Sequence, residues 1–348
     1  MAKLGIIGTG WGARVQVPAF REAGFEVSGI AGRDHEKTSR IAAELGVRPF
    51  DDWRALIAEP SIDLISVVTP PHEHLAMATA ALEAGKHLLS EKPMALNVSE
   101  AEALVAAAKR HPNQLAIIDH ELRFLPAWRE ARAKMRELGE VRYAEVRYSS
   151  PGRADRTREW NWWSDATRGG GIWGAVGSHL VDTLRFLGNE IVAVQATLAT
   201  IIRERPFEGS AREVTSDDFS SIAMRFTNGA LATMTLSAVA AVDEPTTITV
   251  TAEQGAIRLA GEELQIAKRG GAFTRGAGDS LAKLPGNSHG GAFGTGTTLL
   301  ARALKAAIDD GDRSLLEPAA TFEDGLAHQR VLDAARRSSA NKGKWETL

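Results

Sequence analysis

The sequence predicts an α/β protein in two parts. A doubly wound parallel sheet comes first, followed by an α/β domain built on a mostly antiparallel, open sheet. Three observations carry this reading. Over the first 120 residues short apolar runs alternate with helix-forming stretches, a glycine-rich turn directly follows the first run, and beyond residue 120 long β-rich runs take over. The 348 residues suit two domains, at roughly 150 residues for each. With 44 % hydrophobic and 24 % charged residues, the chain has ordinary globular composition.

The elements follow in order. Runs at 4–7, 27–31, 64–68, 87–89 and 115–118 are short and nearly continuously apolar, as strands buried on both faces require. Between them, 15–23, 36–45, 74–84 and 101–109 are rich in Ala, Leu, Glu and Lys, and Ser99-Glu100-Ala101-Glu102 opens the last with a capping-box pattern. Strand and helix alternating in this way means βαβ units. Residues 126–138 read as a helix ending at Gly139, and 141–149 as an alternating strand. Further strands are expected within 191–202, 215–226, 231–239, 246–251 and 255–259, with Asn228-Gly229 marking a hairpin. Residues 268–298, glycine-rich and poor in apolar side chains, read as an exposed loop, either a substrate lid or a variable insertion. The expected division is 1–122 and 123–348, with the C-terminal helix free to pack back on the first domain.

Composition excludes several classes. Lys and Arg number 41 against 44 Asp and Glu, a net charge of −3, without the basic footprint of a nucleic-acid binder. No run of roughly 20 apolar residues suggests a membrane span. The start of the chain does not read as a signal peptide, so a cytoplasmic location is expected. With no cysteine, disulfides, thiolate metal sites and cysteine nucleophiles are excluded. No metal site is expected either: His72 and His74 diverge on a helix start, and His-Glu-x-x-His does not occur.

Gly8-Thr9-Gly10-Trp11-Gly12-Ala13 matches G-x-G-x-x-G/A between a buried strand and a helix. Gly8 permits the tight turn, Gly10 lets the backbone approach a pyrophosphate, and a small Ala13 allows close helix–strand packing. This is the phosphate loop of a Rossmann dinucleotide-binding domain. At the end of the second strand run, Gly32 stands where an NAD-preferring site carries an acid, and Arg33 follows. A guanidinium without an acid suits a 2′-phosphate, so NADP is the preferred cofactor. NAD remains open, because Asp34 is one residue away.

Glu91-Lys92-Pro93 ends the strand run at 87–89, and the carboxyl end of a parallel strand faces the ligand crevice. Together with Thr69-Pro70-Pro71-His72-Glu73-His74 and Ala84-Gly85-Lys86-His87, this segment resembles the Gfo/Idh/MocA family of nicotinamide-dependent oxidoreductases. The resemblance continues through Arg123-Phe124-Leu125-Pro126, Gly169-Gly170-Gly171, Gly177, His179 and Phe322-Glu323-Asp324-Gly325. It implies a Rossmann domain, and a second domain whose open sheet assembles a homodimer or homotetramer. It also implies Lys92 on substrate and the nicotinamide ribose, with Glu91, Thr69, Pro70 and His74 along the cofactor.

The family's helix after the triple glycine usually carries an aspartate and, four residues on, a histidine. Here the histidine is His179 but the aspartate position is Ala175. Asp182, one turn beyond His179, either orients the imidazole or is structural. A lysine acts as a base only where its surroundings favour the neutral amine. Lys92 as acid/base and His179 as co-catalyst make the expected pair. Trp160, Asn161, Trp162, Trp163 and Trp173 fall within fourteen positions, an aromatic cluster that is either buried core or a cleft wall for a sugar's C–H face. Trp160, Trp163 and Arg123 are candidate substrate contacts, with Asn161 a further polar one. The leading expectation is an oxidoreductase acting on a secondary alcohol or ketone of a sugar, sugar derivative or cyclitol. The alternative is a non-catalytic nicotinamide-binding regulator or sensor.

Overall fold

The computed structural model describes residues 1–277 and 283–348. It divides into two compact units: Met1–Ala95, Ser99–Leu125 and Asp279–Leu326 form the first, and Leu96–Val98, Pro126–Gly278 and Ala327–Leu348 the second. The chain is therefore more interleaved than a single cut at 122/123.

The first unit holds strands β1 (Lys3–Ile7), β2 (Glu26–Ala31), β3 (Arg48–Phe50), β4 (Leu64–Val67), β5 (His87–Ser90) and β6 (Ala116–Ile118). Its helices are α1 (Val17–Glu22), α2 (His35–Leu45), α3 (Trp53–Ala58), α4 (His74–Glu83) and α5 (Val98–Arg110). The sheet order β6-β5-β4-β1-β2-β3 is parallel throughout, so the carboxyl ends of all six strands share one edge. β4 is buried along its whole length, as its uninterrupted apolar run requires. Two short elements escape sequence reading: β3 has three residues including Pro49, and α3 has six, too few for a period to show.

The second unit contains α6 (Pro126–Leu138), β7 (Val141–Ser149), α7 (Ser178–Phe186), β8 (Ile191–Ala199), β9 (Glu204–Phe207), β10 (Ser210–Glu213), β11 (Phe219–Phe226), β12 (Leu231–Ser237), β13 (Glu244–Ala252), β14 (Gly255–Ala260), β15 (Glu263–Lys268) and β16 (Thr274–Arg275). Next come α8 (Gly291–Asp309) and β17 (Ala320–Thr321), which belong to the first unit; β17 adds antiparallel to β6. The division falls within the last helix, α9 (Phe322–Ala340), and β18 (Glu346–Thr347) closes the chain. The second sheet runs β16-β15-β14-β13-β7-β12-β11-β8-β18, antiparallel except for the β7–β12 pair. Alternate residues are buried along β12, so one face is core and the other is not. Asn228-Gly229 makes the expected hairpin, with Gly229 in the left-handed region at φ +83°.

The expected loop at 268–298 is partly structured. β16 pairs with β15, and α8 begins at Gly291; residues 278–282 of that stretch lie outside the described residues. Three of the glycines that suggested a loop, Gly286, Gly294 and Gly296, serve close packing instead. A Cβ at Gly296 would stand 2.6 Å from the Glu121 carbonyl oxygen, so α8 approaches the turn after β6 only because that position is bare.

Candidate active site

The glycine loop is built as its pattern demands. Gly8 has φ +137°, donates its N–H to the Ala31 carbonyl at 2.8 Å, and a Cβ there would run into the Val68 carbonyl. Gly10 is exposed, with open space where a Cβ would project. Gly12–Gln16 form a π-helical turn leading into α1. Ala13 is buried in the same core as Leu4 and Ile6 of β1, and Gly12 packs closely as well, since a Cβ there would lie 2.7 Å from Ile6. Trp11 meets Phe293 edge-on at 6.1 Å, with the Arg14 guanidinium 5.6 Å from its ring centre. A bare, exposed backbone ahead of a helical segment fits the pyrophosphate of a dinucleotide.

At the end of β2, Gly32 is required by packing: a Cβ would sit 2.6 Å from Thr38 Oγ1 and 2.7 Å from the Thr9 methyl. Arg33 is exposed. Asp34 caps α2, accepting from Lys37 N at 3.0 Å.

Glu91 and Lys92 continue from β5 into a turn closed by a cis Lys92–Pro93 bond. Glu91 N–H donates to the Val67 carbonyl, and Lys92 N–H to Glu91 Oε2 at 3.2 Å. One strand over, Asp119 follows β6, its N–H on the Ser90 carbonyl at 2.8 Å. A chain of side chains fixes it: Ser66 Oγ donates to Gln16 Oε1 at 2.6 Å, and Gln16 Nε2 donates to Asp119 Oδ2 at 2.9 Å. Asp119 and Glu121 are buried, at 1 % and 3 % exposure, and Asp119 Oδ1 and Glu121 Oε2 meet no hydrogen-bond donor among the described residues. Burial pushes the Asp119 carboxyl well above the usual range, with Glu91 adding to the rise and Lys92 opposing it. Glu121 is likewise raised well above its ordinary value, first by burial, then by Asp119 and Glu91. Glu91 itself is raised by burial, against the pull of Lys92.

Two residues expected on ligands are structural. His74 is fully buried, its Nδ1 on the Pro93 carbonyl at 3.1 Å and its Nε2 on the Thr69 carbonyl at 2.8 Å. Both ring nitrogens face these carbonyls; since burial favours the neutral ring, His74 donates to one of them, and it packs the Thr69–Pro70 and Lys92–Pro93 segments rather than reaching a cofactor. Arg123, expected on substrate, is buried within the first unit. Its guanidinium reaches Asp324 at 3.4 Å and the Pro318 and Ala319 carbonyls at 3.5 Å. The tail motif ends at Gly325 for a packing reason: a Cβ there would lie 2.5 Å from Met94 Sδ.

In the second unit the triple glycine closes around Asp217. Gly171 has φ +109°, and a Cβ there would collide with Asp217 Oδ1. Ile172 N–H donates to the Asp217 carbonyl at 2.9 Å and Trp173 N–H to its Oδ2 at 2.8 Å. Burial raises the Asp217 carboxyl to about 6. The π-helical turn Trp173–Gly177 then leads into α7, which carries His179, itself buried. Ala175 lies on that turn, partly exposed. Asp182 pairs with His328 of α9 at 3.2 Å, a structural partner that sequence reading missed. Trp160, expected in the cleft, is buried: it gives its Nε1 hydrogen to the Glu213 carbonyl at 2.9 Å, packs on Phe207 and is covered by Arg212. That is the core reading of the aromatic cluster. Trp163 is half-buried beneath Arg153, whose guanidinium lies 4.3 Å from its ring centre. Burial and the neighbouring Arg205 and Arg158 lower Arg153 to about 10. Lys92 belongs to the first unit and His179 to the second.

Comparison with known proteins fits this architecture. The family described as "Oxidoreductase family, NAD-binding Rossmann fold" matches residues 2–119, and the GFO/IDH/MocA C-terminal domain matches 128–258. The chain belongs to the Gfo/Idh/MocA family of oxidoreductases. Glucose-fructose oxidoreductase domain-containing protein 2 of Xenopus tropicalis is 31 % identical over 375 residues, spanning 99 % of this chain and 93 % of that one. An uncharacterised oxidoreductase of Synechocystis is 30 % identical over 75 % of this chain and 72 % of its own. Among solved structures, a levoglucosan dehydrogenase in complex with NADH and levoglucosan shares 26 % identity with a TM-score of 0.89, covering 100 % of this chain and 99 % of that one. An oxidoreductase domain protein from Kribbella flavida gives 29 % and 0.89 over the full length of both chains. Within this Gfo/Idh/MocA chain, sequence reading missed Gln16, Asp119, Glu121 and Asp217. The first three had a signal, since Asp119 directly follows a parallel strand run at its carboxyl end. Asp217 had none, because its partners Ile172 and Trp173 lie more than 40 positions earlier in the chain.

Proposed function

We propose that the chain is a dehydrogenase acting on a secondary alcohol of a sugar, sugar derivative or cyclitol, or on the corresponding ketone, with NADP preferred over NAD. The observation that carries this is the placement of Lys92. It stands at the carboxyl-end edge of the same parallel sheet whose first strand ends in the glycine loop. A nicotinamide dinucleotide, when bound, would supply the hydride acceptor for the carbinol carbon. Lys92 is the group that accepts the hydroxyl proton, and returns it in the reducing direction. His179 holds the substrate hydroxyl, Trp163 offers a ring face to the sugar, and Glu91, Thr69 and Pro70 line the nicotinamide half. For the cofactor choice, Gly32 leaves no acid at the ribose, Arg33 is free to approach a 2′-phosphate, and Asp34 is occupied in capping α2. The levoglucosan dehydrogenase named above, solved with NADH and a sugar, supports the substrate class. It also makes NAD the outcome to test against.

Ala175 favours a second reading, a dinucleotide-binding regulator without turnover, because one family carboxylate is gone. One experiment separates the two. Purified protein is mixed with NADP⁺ and, separately, NAD⁺ across levoglucosan, simple sugars, sugar acids and inositols, and reduced nicotinamide is followed by absorbance. Turnover that vanishes in Lys92→Ala establishes the dehydrogenase. Dinucleotide binding in a thermal-shift assay with no turnover on any compound sinks it in favour of the sensor.

A further inference from the structure

We propose that the second unit holds a binding site of its own for a neutral, polyhydroxylated ligand, a sugar or cyclitol, beside the last turns of α9. An open cavity of about 550 Å³ lies there, and every residue lining it belongs to that unit. Small-molecule sites are typically of this size, roughly 300–1,000 Å³. Neither Lys92, the glycine loop nor His179 lines it, so the inference does not depend on the reading of Lys92 as the acid/base residue.

Arg336, Ser339 and Ala340 present one face of α9 to the cavity, at helical spacings of three and four residues. Leu198 and Thr200 come from the end of β8, and Thr215, Ser216 and Asp217 from the approach to β11. Among these walls only Asp217 and Arg336 carry charge, and each has hydrogen-bonding capacity left over. Arg336 pairs with Asp333 rather than with Asp217: its Nη1 donates to Asp333 Oδ1 at 2.8 Å and to the Leu96 carbonyl at 3.2 Å. Its Nε and Nη2 meet no acceptor among the described residues and are not sealed from solvent. Asp217 is partly exposed. Its Oδ2 accepts from Trp173 N–H at 2.8 Å and from Ser220 Oγ at 3.2 Å, while Oδ1 takes no hydrogen bond from any other described residue. Thr215 Oγ1 accepts the Ala166 N–H at 3.0 Å, which leaves its own O–H to donate.

These charges decide the class of ligand. Burial raises the Asp217 carboxyl only to about 6, so above that pH it is chiefly a carboxylate. An anion would gain Arg336 but face this carboxylate, and a cation would gain Asp217 but face the guanidinium. A neutral hydroxyl suits both, because it donates to the one and accepts from the other. A compound with several hydroxyls on one carbon frame therefore uses Asp217, Arg336 and Thr215, while its C–H groups meet Leu96, Ala166, Leu198 and Ala340.

The test reads binding on the full chain without dinucleotide, at about pH 7.5, where Asp217 is ionised. Saturation-transfer NMR titrations use D-glucose and myo-inositol, with gluconate and glucosamine as anionic and cationic counterparts. The proteins are wild type, Lys92→Ala, Arg336→Gln and Ala340→Trp. Saturable binding of glucose or inositol is expected, kept in Lys92→Ala and weakened roughly tenfold in Arg336→Gln. It should be lost in Ala340→Trp, whose indole fills the cavity from an exposed helix position. Gluconate and glucosamine should bind more weakly than the neutral compounds. The proposal is overturned if neither neutral compound binds, if Lys92→Ala abolishes binding, or if Arg336→Gln or Ala340→Trp leaves it unchanged. Tighter binding of either charged compound overturns the ligand class. Should Ala340→Trp fail to fold, Ala166→Trp closes the same cavity from an exposed loop position and is judged by the same outcomes.

Discussion

Two glycine-led turns open two helices in this chain, and they differ in what stands at the helix entrance. Gly8–Gly12 and Gly169–Gly171 each precede a π-helical turn that runs on into an α-helix, α1 in one case and α7 in the other. At the second, the entrance is filled from within: Asp217 takes the Ile172 and Trp173 amides, and a Cβ at Gly170 or Gly171 would strike protein. At the first, Gly8 is crowded but Gly10 opens on empty space. Glycine therefore serves two ends here. One turn is bare so that the protein can close on itself, the other so that a ligand's phosphates can approach.

The largest effect should come from Gly8→Ala. Its φ of +137° and the Val68 carbonyl leave no room for a side chain. A loss of at least about 3 kcal/mol of stability is expected, together with dinucleotide binding, seen as a low thermal midpoint unmoved by NADP⁺. Gly171→Ala shares the strain but not the function. At φ +109° against Asp217 it should lose about 2–3 kcal/mol in urea unfolding while the surviving folded protein binds dinucleotide normally. Equal loss of dinucleotide affinity in both would break the distinction between the two turns. Gly10→Ala is the converse. Stability should stay within about 0.5 kcal/mol of wild type, while the dinucleotide Kd weakens about tenfold or more, roughly 1.4 kcal/mol. An unaltered Kd would mean that the open space at Gly10 is not where the pyrophosphate lies.

The contrast also marks what sequence could reveal. The Rossmann half was legible because its signals are local: β1, the glycine loop and α1 follow one another, and each apolar run is one buried strand. The second sheet was legible as β-rich, with its Asn228-Gly229 hairpin, but not in its order, since pairing β7 with β12 and β13 requires contacts between residues far apart in the chain, such as Tyr143 with Leu231 and Arg147 with Thr247. The return of α8 to the first unit was hidden for a related reason. Its glycines at 294 and 296 imitate a loop, and only the backbone they approach explains them. The loop glycines and the Lys92 turn could be placed from the sequence at the carboxyl ends of their strands. His74, Arg123 and Trp160 were assigned to ligands because a polar or aromatic side chain in a motif cannot show, by itself, that a carbonyl or a guanidinium already occupies it.

The smallest predicted effect tests the filled entrance directly. Asp217 is held near pH 6, above the ordinary 3.8, chiefly by burial and against the helix amides and Arg336. A carboxyl whose folded pKa exceeds its unfolded value binds its proton more tightly in the native state. The stability it lends is therefore complete below about pH 4, and is lost as pH rises through about 6. Asp217→Asn keeps an acceptor for Trp173 N–H but cannot titrate. Wild type should thus lose about 1–2 kcal/mol more than the variant between pH 4 and 7, allowing for solvent screening of a partly exposed group. Urea unfolding of both proteins at the two pH values reads this difference. Gly10→Ala, whose turn contains no internal carboxylate, should follow the wild-type slope. Identical slopes in wild type and Asp217→Asn would mean that the Trp173 amide keeps the carboxylate ionised throughout. The second entrance would then be an anion site satisfied from within, differing from the first only in whose anion it holds.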